Sequence, residues 1–329
     1  MSRSPAPAQP ASVLRTSIVR GLCARVGTAA RALGAAAGAL VALPLVALPL
    51  FTTPAAAQAL PGIDLQKLAP PDVAALTELM KQGACPCTPK LSLFDCIAAQ
   101  SCPEANALAS YGADKFREGL GAEQVQEAVI RKYLLDHTPA QSFELTDTPV
   151  KGDPQADIVV VEFADFECPH CAQMRDILAD LLKKHPKGIK IYFKQFPIGV
   201  HPQSEKAARA TLAAHKQGRF WPMHDLCFQN QGRLDDSSYG KFAAEIGLNL
   251  EKFKADMDSE AVGKQVQRDR EEGMAAGLQG TPTLYVNGKL YHEDKTIEGL
   301  EDYFTRVRAQ GKDGKPGPKP APKGGPAPR

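Results

Sequence analysis

Neither sign of charge dominates this sequence: 39 Lys and Arg stand against 37 Asp and Glu, a formal net charge of +2. No basic footprint for nucleic acid is visible, so no nucleic-acid partner is expected. Arg-Arg occurs nowhere, so nothing points to twin-arginine export. No acidic residue interrupts the series Arg3, Arg15, Arg20, Arg25 and Arg31. An apolar run, Ala32 to Phe51, follows; it is broken by Pro44 and Pro49 and ends in the small residues Ala55-Ala56-Ala57 before Gln58. That layout predicts a cleaved secretory signal peptide over residues 1–57. The run approaches the roughly 20 residues that cross a bilayer, so an uncleaved anchor facing the periplasm is the alternative. Cys23 lies upstream of the run and outside any lipidation context. The expected compartment is the bacterial periplasm, where disulfides persist. At the other end, 312–329 alternates Lys, Pro, Gly and Ala without apolar periodicity, which predicts a disordered tail. Between leader and tail there is enough chain for one sizeable domain and a small one.

Strand-like alternation is absent from Ile63 to about Leu135. Leu65, Leu68, Val73, Leu76, Leu79 and Met80 follow a helical spacing, interrupted at Pro70-Pro71. Helices are also predicted from Ala105 to Gly119 and from Glu123 to Leu135. Residues 58–136 therefore read as a small all-α module. It carries Cys85, Cys87, Cys96 and Cys102. In an exported unit, four cysteines predict two structural disulfides. Cys85–Cys87 is the least favourable pairing, because one intervening residue rarely permits relaxed geometry. That leaves a crossed and a nested arrangement, each closing loops worth about 2–4 kcal/mol in the chain-entropy picture. A second redox relay at Cys85-Pro86-Cys87, or a zinc site, are the rival readings. His137 to Ala156 is aperiodic and rich in Pro, Thr and Asp, and reads as a linker.

The richest chemical signal is Cys168-Pro169-His170-Cys171, which closes the apolar run Ile158 to Phe166 and opens a helical pattern. Two thiols at this spacing in the first turn of a helix can form a small-ring disulfide, and the unpaired N–H groups there favour a thiolate on the first. A zinc site would need two further ligands; none is predicted, and the two sulfurs call for no cofactor. Far downstream, Gly280-Thr281-Pro282-Thr283 precedes the short β-rich run Leu284-Tyr285-Val286 and the turn Asn287-Gly288. Thr281-Pro282 is a candidate cis bond. Met174, Ile177, Leu178, Leu181 and Leu182 mark one face of the helix after Cys171. Ile189 to Phe196 reads as a second strand, and Lys194 and Gln195 within it predict partial exposure. From His201 to about Leu278 the pattern is helical, with breaks expected near Gly232, Gly247 and Gly263. A Lys289–His292 strand and a helix from Ile297 to Arg308 close the pattern. Cys227 makes the cysteine count after the leader odd and reads as a buried free thiol.

These motifs, together with His201-Pro202, the Ala-rich segment Ala207 to Ala214 and Phe220-Trp221-Pro222-Met223-His224-Asp225, resemble the DsbA-like branch of the thioredoxin superfamily over about 157–304. The resemblance implies an α/β thioredoxin fold with an inserted helical subdomain, here over 157–311, preceded by the helical cysteine module. It implies an exported thiol–disulfide oxidoreductase in which Cys168 attacks and Cys171 resolves. Pro169 and His170 form the dipeptide that tunes Cys168, and Glu162 takes the resolving thiol's proton. Thr281 and Pro282 would present backbone to an extended substrate. Partners implied are unfolded or cysteine-containing exported proteins and a membrane redox partner for recycling. Trp221 and His224 would pack in the insertion or line the groove. Thr281, where many oxidases of the branch carry Val, is commoner in reductase- or isomerase-type members, so that direction of electron flow is the alternative. The N-terminal module faintly resembles the three-helix domain of cytochrome-c-maturation thiol proteins, through Glu118-Gly119, Val125 and Val129-Ile130. A non-enzymatic, chaperone-like peptide-binding module is the competing reading from another class.

Overall fold

The computed structural model describes residues 60–312, so the predicted leader and most of the predicted tail lie outside the described residues. The chain divides into two compact units between Leu134 and Leu135.

The first unit is helical: α1 (Pro70–Gln82), α2 (Leu93–Ala98), α3 (Pro103–Arg117) and most of α4 (Ala122–His137). Pro70 and Pro71 do not interrupt a helix. They start α1, at the first-turn positions where a missing N–H costs nothing. α2 is too short to show an apolar period, and its signal is a capping box: Ser92 Oγ accepts from Asp95 N (3.0 Å) while Asp95 Oδ2 accepts from Ser92 N (3.3 Å). The buried faces of these helices meet in one cluster that includes Leu76, Met80, Ile97, Leu108 and Val125. Gly112 permits the close approach of α1 and α3, since a Cβ there would stand 2.8 Å from Leu76 Cδ1. The four cysteines form the crossed arrangement, Cys85–Cys96 and Cys87–Cys102.

The second unit is built on a five-stranded sheet of order β1-β3-β2-β4-β5. Its strands are β1 (Val150–Gly152), β2 (Ile158–Ala164), β3 (Ile189–Gln195), β4 (Thr283–Val286) and β5 (Lys289–Leu290). β2 and β3 are parallel, joined by α5 (Pro169–Lys184); the other pairs are antiparallel. Between β3 and β4 run α6 (Ser204–His215), α7 (Phe220–Gln229), α8 (Ser238–Glu245), α9 (Leu250–Asp258) and α10 (Glu260–Ala275); α11 (Ile297–Lys312) follows β5. This is the thioredoxin layout with a helical insertion. Alternation along β2 explains the two cores. Ile158 and Val160 pack with Met174, Leu178, Leu300 and Phe304, whereas Val159, Val161 and Phe163 pack with Phe143, Tyr192 and Tyr285.

The second unit departs from expectation at four further places. The 137–156 segment is more than a linker: β1 lies in it and adds to the sheet edge, and Phe143 and Leu145 are buried in the second core. Lys194 and Gln195 are buried rather than partly exposed, because α10 covers their strand and supplies carboxylates. Gly263 lies inside α10; the break falls at Ser259, which caps that helix through Val262 N. β5 stops at Leu290 instead of reaching His292.

Candidate active site

Cys168 is the N-cap of α5, at the C-terminal end of the loop that leaves β2, and Pro169 occupies the first turn. The loop is held from several sides. Its carbonyls at Phe166 and Cys168 both accept from Gln231 Nε2 (2.9 Å each). Asp165, only 1% exposed, accepts from Glu167 N (2.8 Å), Ile198 N (2.7 Å) and His201 Nδ1 (2.9 Å). Its own N–H reaches Cys171 Sγ (3.5 Å) and its carbonyl accepts from Cys168 N (3.1 Å). Asp165 therefore ties the 198–201 loop to both cysteines. Burial opposes a charge on His201, but the hydrogen bond to Asp165 and the negative charges of Asp165, Glu167 and Cys168 outweigh it and raise its pKa.

The two thiols are differentiated by their surroundings. Cys171 is fully buried, whereas Cys168 keeps 6% exposure. The Cys171 thiol donates to Cys168 and is the main reason that the Cys168 pKa falls to about 5. Burial works against this; the Thr281 hydroxyl and the N–H groups of Cys171 and His170 add to the lowering. The Thr281 hydroxyl is buried, and no group stands within full hydrogen-bond geometry of it. When protonated, Cys168 Sγ donates to the Thr281 carbonyl (3.4 Å). Burial, and then the bond to Cys168, push the Cys171 thiol far up, and Glu162 adds to this through its charge. His170 contributes its backbone N–H; its ring is turned to Gln173 (3.3 Å).

Glu162 is 3% exposed, on the β2 face shared with Ile158 and Val160. Burial pushes its carboxyl up to about 8, with the Lys151 charge pulling the other way. Lys151, on β1, lies over the Trp221 ring at 4.1 Å, and burial lowers its pKa. Trp221 donates from Nε1 to the Val150 carbonyl (3.1 Å). His224 is buried among the rings of Phe166, Phe193, Phe220 and Phe228 and bonds Asp225 (2.8 Å); burial drives its pKa down to about 4. Cys227 is a fully buried free thiol. Beside the cysteines, His170, Met174, Ile177, Thr281, Pro282 and Asp294 line a groove of about 340 Å³. The Thr281-Pro282 bond is cis.

The structure thus brings Cys168, Cys171, Pro169, Thr281 and Pro282 together and puts Glu162 within electrostatic reach. Asp165, Lys151 and Gln231 also shape the site, and no motif in the sequence marks them. An acid inside an otherwise apolar strand-to-cysteine segment was the one available signal for Asp165.

A strand-fed Cys-x-x-Cys, one thiol activated and the other buried, beside a cis-proline turn on this sheet, is the layout of a thioredoxin-type thiol–disulfide exchange site. Residues 144–305 match the family described as Thioredoxin. Curated relatives include Na(+)/H(+) antiporter NhaA 3 of Salinispora tropica, 34% identical over 152 residues, which are 46% of this chain and 23% of that protein. NhaA of Herminiimonas arsenicoxydans is 38% identical over 140 residues, 43% of this chain and 22% of that one. The match thus spans less than a quarter of these relatives. Among solved structures, a thioredoxin-like oxidoreductase from Silicibacter pomeroyi is 29% identical with a TM-score of 0.46, covering 50% of this chain and 93% of that one. BdbD from Bacillus subtilis is 25% identical with a TM-score of 0.46, covering 51% and 97%.

Proposed function

We propose that this chain is an exported oxidoreductase that passes a Cys168–Cys171 disulfide to cysteine-containing exported proteins and is reoxidised by a membrane redox partner. The observation that carries this reading is the placement of Cys168 at the N-terminus of α5 beside the buried Cys171 thiol, which favours its thiolate and lowers its pKa. A stable thiolate stabilises the dithiol form and so makes the disulfide a stronger oxidant. Among the described residues no helix is long and apolar enough to cross a membrane.

In the forward step a substrate thiolate bonds to Cys168 Sγ and the Cys168–Cys171 bond breaks. Cys171 takes the electron pair and then a proton. A second substrate thiolate attacks the mixed disulfide at the substrate's own sulfur, and Cys168 leaves as a thiolate. The substrate gains a disulfide, and the enzyme gains two electrons. Glu162 is the proposed proton carrier for Cys171. Thr281 and Pro282 are the proposed edge for an extended peptide.

Trapping tests the reading. The full-length Cys171→Ala protein, expressed in a bacterium with an oxidising periplasm, should accumulate mixed disulfides through Cys168, and a further Cys168→Ser change should abolish them. No adduct at Cys168 would sink the exchange model. The resting state of the pair in cells then gives the direction: mostly disulfide for a donor, mostly dithiol for the reductase or isomerase that Thr281 favours. A second outcome concerns Glu162. Glu162→Gln should slow Cys171-dependent release of a mixed disulfide by about 10²-fold, the scale of lost general base catalysis. It should also remove the inflection near pH 8 from that rate, read by stopped-flow over a pH series.

A further inference from the structure

The two disulfides of the helical unit are not equivalent. Cys85 and Cys96 are 1% and 0% exposed, and Cys102 is 1% exposed, whereas Cys87 is exposed. The Cys87–Cys102 bond is therefore the one that a partner can reach. Cys102 is the N-cap of α3 and is followed by Pro103 in the first turn. Cys168 has the same placement at α5, with Pro169 after it. An anion on Cys102 would face the free N–H groups of a 15-residue helix. A second observation favours the reduced pair in its protonated form. Glu104 Oε2 lies 3.2 Å from Cys87 Sγ and 3.6 Å from Cys102 Sγ. In a disulfide neither sulfur has a hydrogen to donate; after reduction both thiols do. The contact is thus completed only in the dithiol state, which it stabilises.

We propose that Cys87–Cys102 is a second exchangeable disulfide, attacked at Cys87 by a protein dithiol of the Cys-x-x-Cys kind, while Cys85–Cys96 remains a buried staple. The attacking thiolate bonds to Cys87 Sγ, the Cys87–Cys102 bond breaks and its electron pair goes to Cys102 Sγ. The partner's second thiolate then attacks the partner sulfur of the mixed disulfide and releases Cys87. The partner becomes a disulfide; Cys87 and Cys102 become a dithiol that takes up the partner's two protons.

The test uses the full chain with Cys168→Ser and Cys171→Ser, so that its outcome is independent of the exchange proposed for that pair. The protein is equilibrated in graded dithiothreitol buffers, and separately with a reduced thioredoxin, then alkylated and mapped by mass spectrometry. Unsubstituted protein is run alongside, its peptides resolving each pair. Cys87 and Cys102 should label together in buffers at least about tenfold less reducing than Cys85 and Cys96 require, about 30 mV, with helical circular dichroism unchanged. Glu104→Gln should make the Cys87–Cys102 pair harder to reduce. Labelling of all four cysteines together, labelling only with loss of helicity, or indifference to Glu104→Gln would overturn the proposal.

Discussion

Reduced protein should show a thiolate that titrates near pH 5, read from ultraviolet thiolate absorbance and from the pH dependence of Cys168 alkylation. Against an ordinary cysteine this means about thirtyfold more thiolate at pH 7. The cause is separable. Cys171→Ala removes the S–H that donates to Cys168 and should raise its pKa towards the usual value, while Cys171→Ser keeps a donor and should retain most of the lowering. A Cys168 that ionises like free cysteine would remove the physical basis of the proposed function. The same shift has a consequence for stability. The folded-state pKa lies below the unfolded value of 9.0, so the dithiol form gains stability that is fully present above about pH 9 and lost as pH falls through about 5. The disulfide form has no such thiolate. Denaturation of the two forms over a pH series should show their difference shrinking towards pH 5.

The second large effect is expected on stability, away from the sulfurs. Lys194 is fully buried on β3, with Nζ 2.9 Å from Asp269 Oδ1 and 2.5 Å from Glu272 Oε2 on α10. Asp269 Oδ2 also accepts from Gln195 N (3.1 Å), and Glu272 Oε1 from Glu144 N (2.9 Å). These bonds tie the last helix of the insertion to the sheet that carries the active-site loop. Burial pushes the Asp269 carboxyl up, and Lys194 pulls against it. Lys194→Met should cost about 3–5 kcal/mol, because it leaves Asp269 as a buried group without its counter-charge. Asp269→Leu alone should be of similar size, and the double variant should cost much less than the sum. The chain has two units, so its unfolding is not expected to be two-state. Fluorescence of the single tryptophan, Trp221, reports on the catalytic unit alone. Additive losses would mean that the ions do not act as a pair.

Much of the site was legible because it is local. Cys168, Pro169, His170 and Cys171 occupy one strand-to-helix junction, and their spacing alone puts a thiol at a helix start. Thr281 and Pro282 announce themselves through the turn residues around them. The helical unit and the alternation of the central strands were legible for the same reason: both are periodic patterns over short windows. Boundaries were less so where a residue type has two meanings. Pro70 and Pro71 look like breakers, yet their fixed φ suits a first turn. Val150 to Gly152 is too short to show alternation, and only its pairing with β3 makes it a strand.

By itself, then, the chain marked Cys168 and Cys171 as the candidate exchange pair, and its periodicity laid out strands, a helical stretch and a closing strand and helix around them. Tertiary structure alone decided how deeply Cys171 is buried and the fate of the buried ions, whereas the lowering at Cys168 comes mostly from its own motif. Asp165 meets His201 across 36 residues and Lys194 meets Asp269 across 75. The cost of burying a charge depends on which groups face it in space, and sequence separation carries no record of that. Burial likewise raises Glu162 to about 8 and hides Cys171, because it is the packing of α5 and the insertion against β2 that excludes water there.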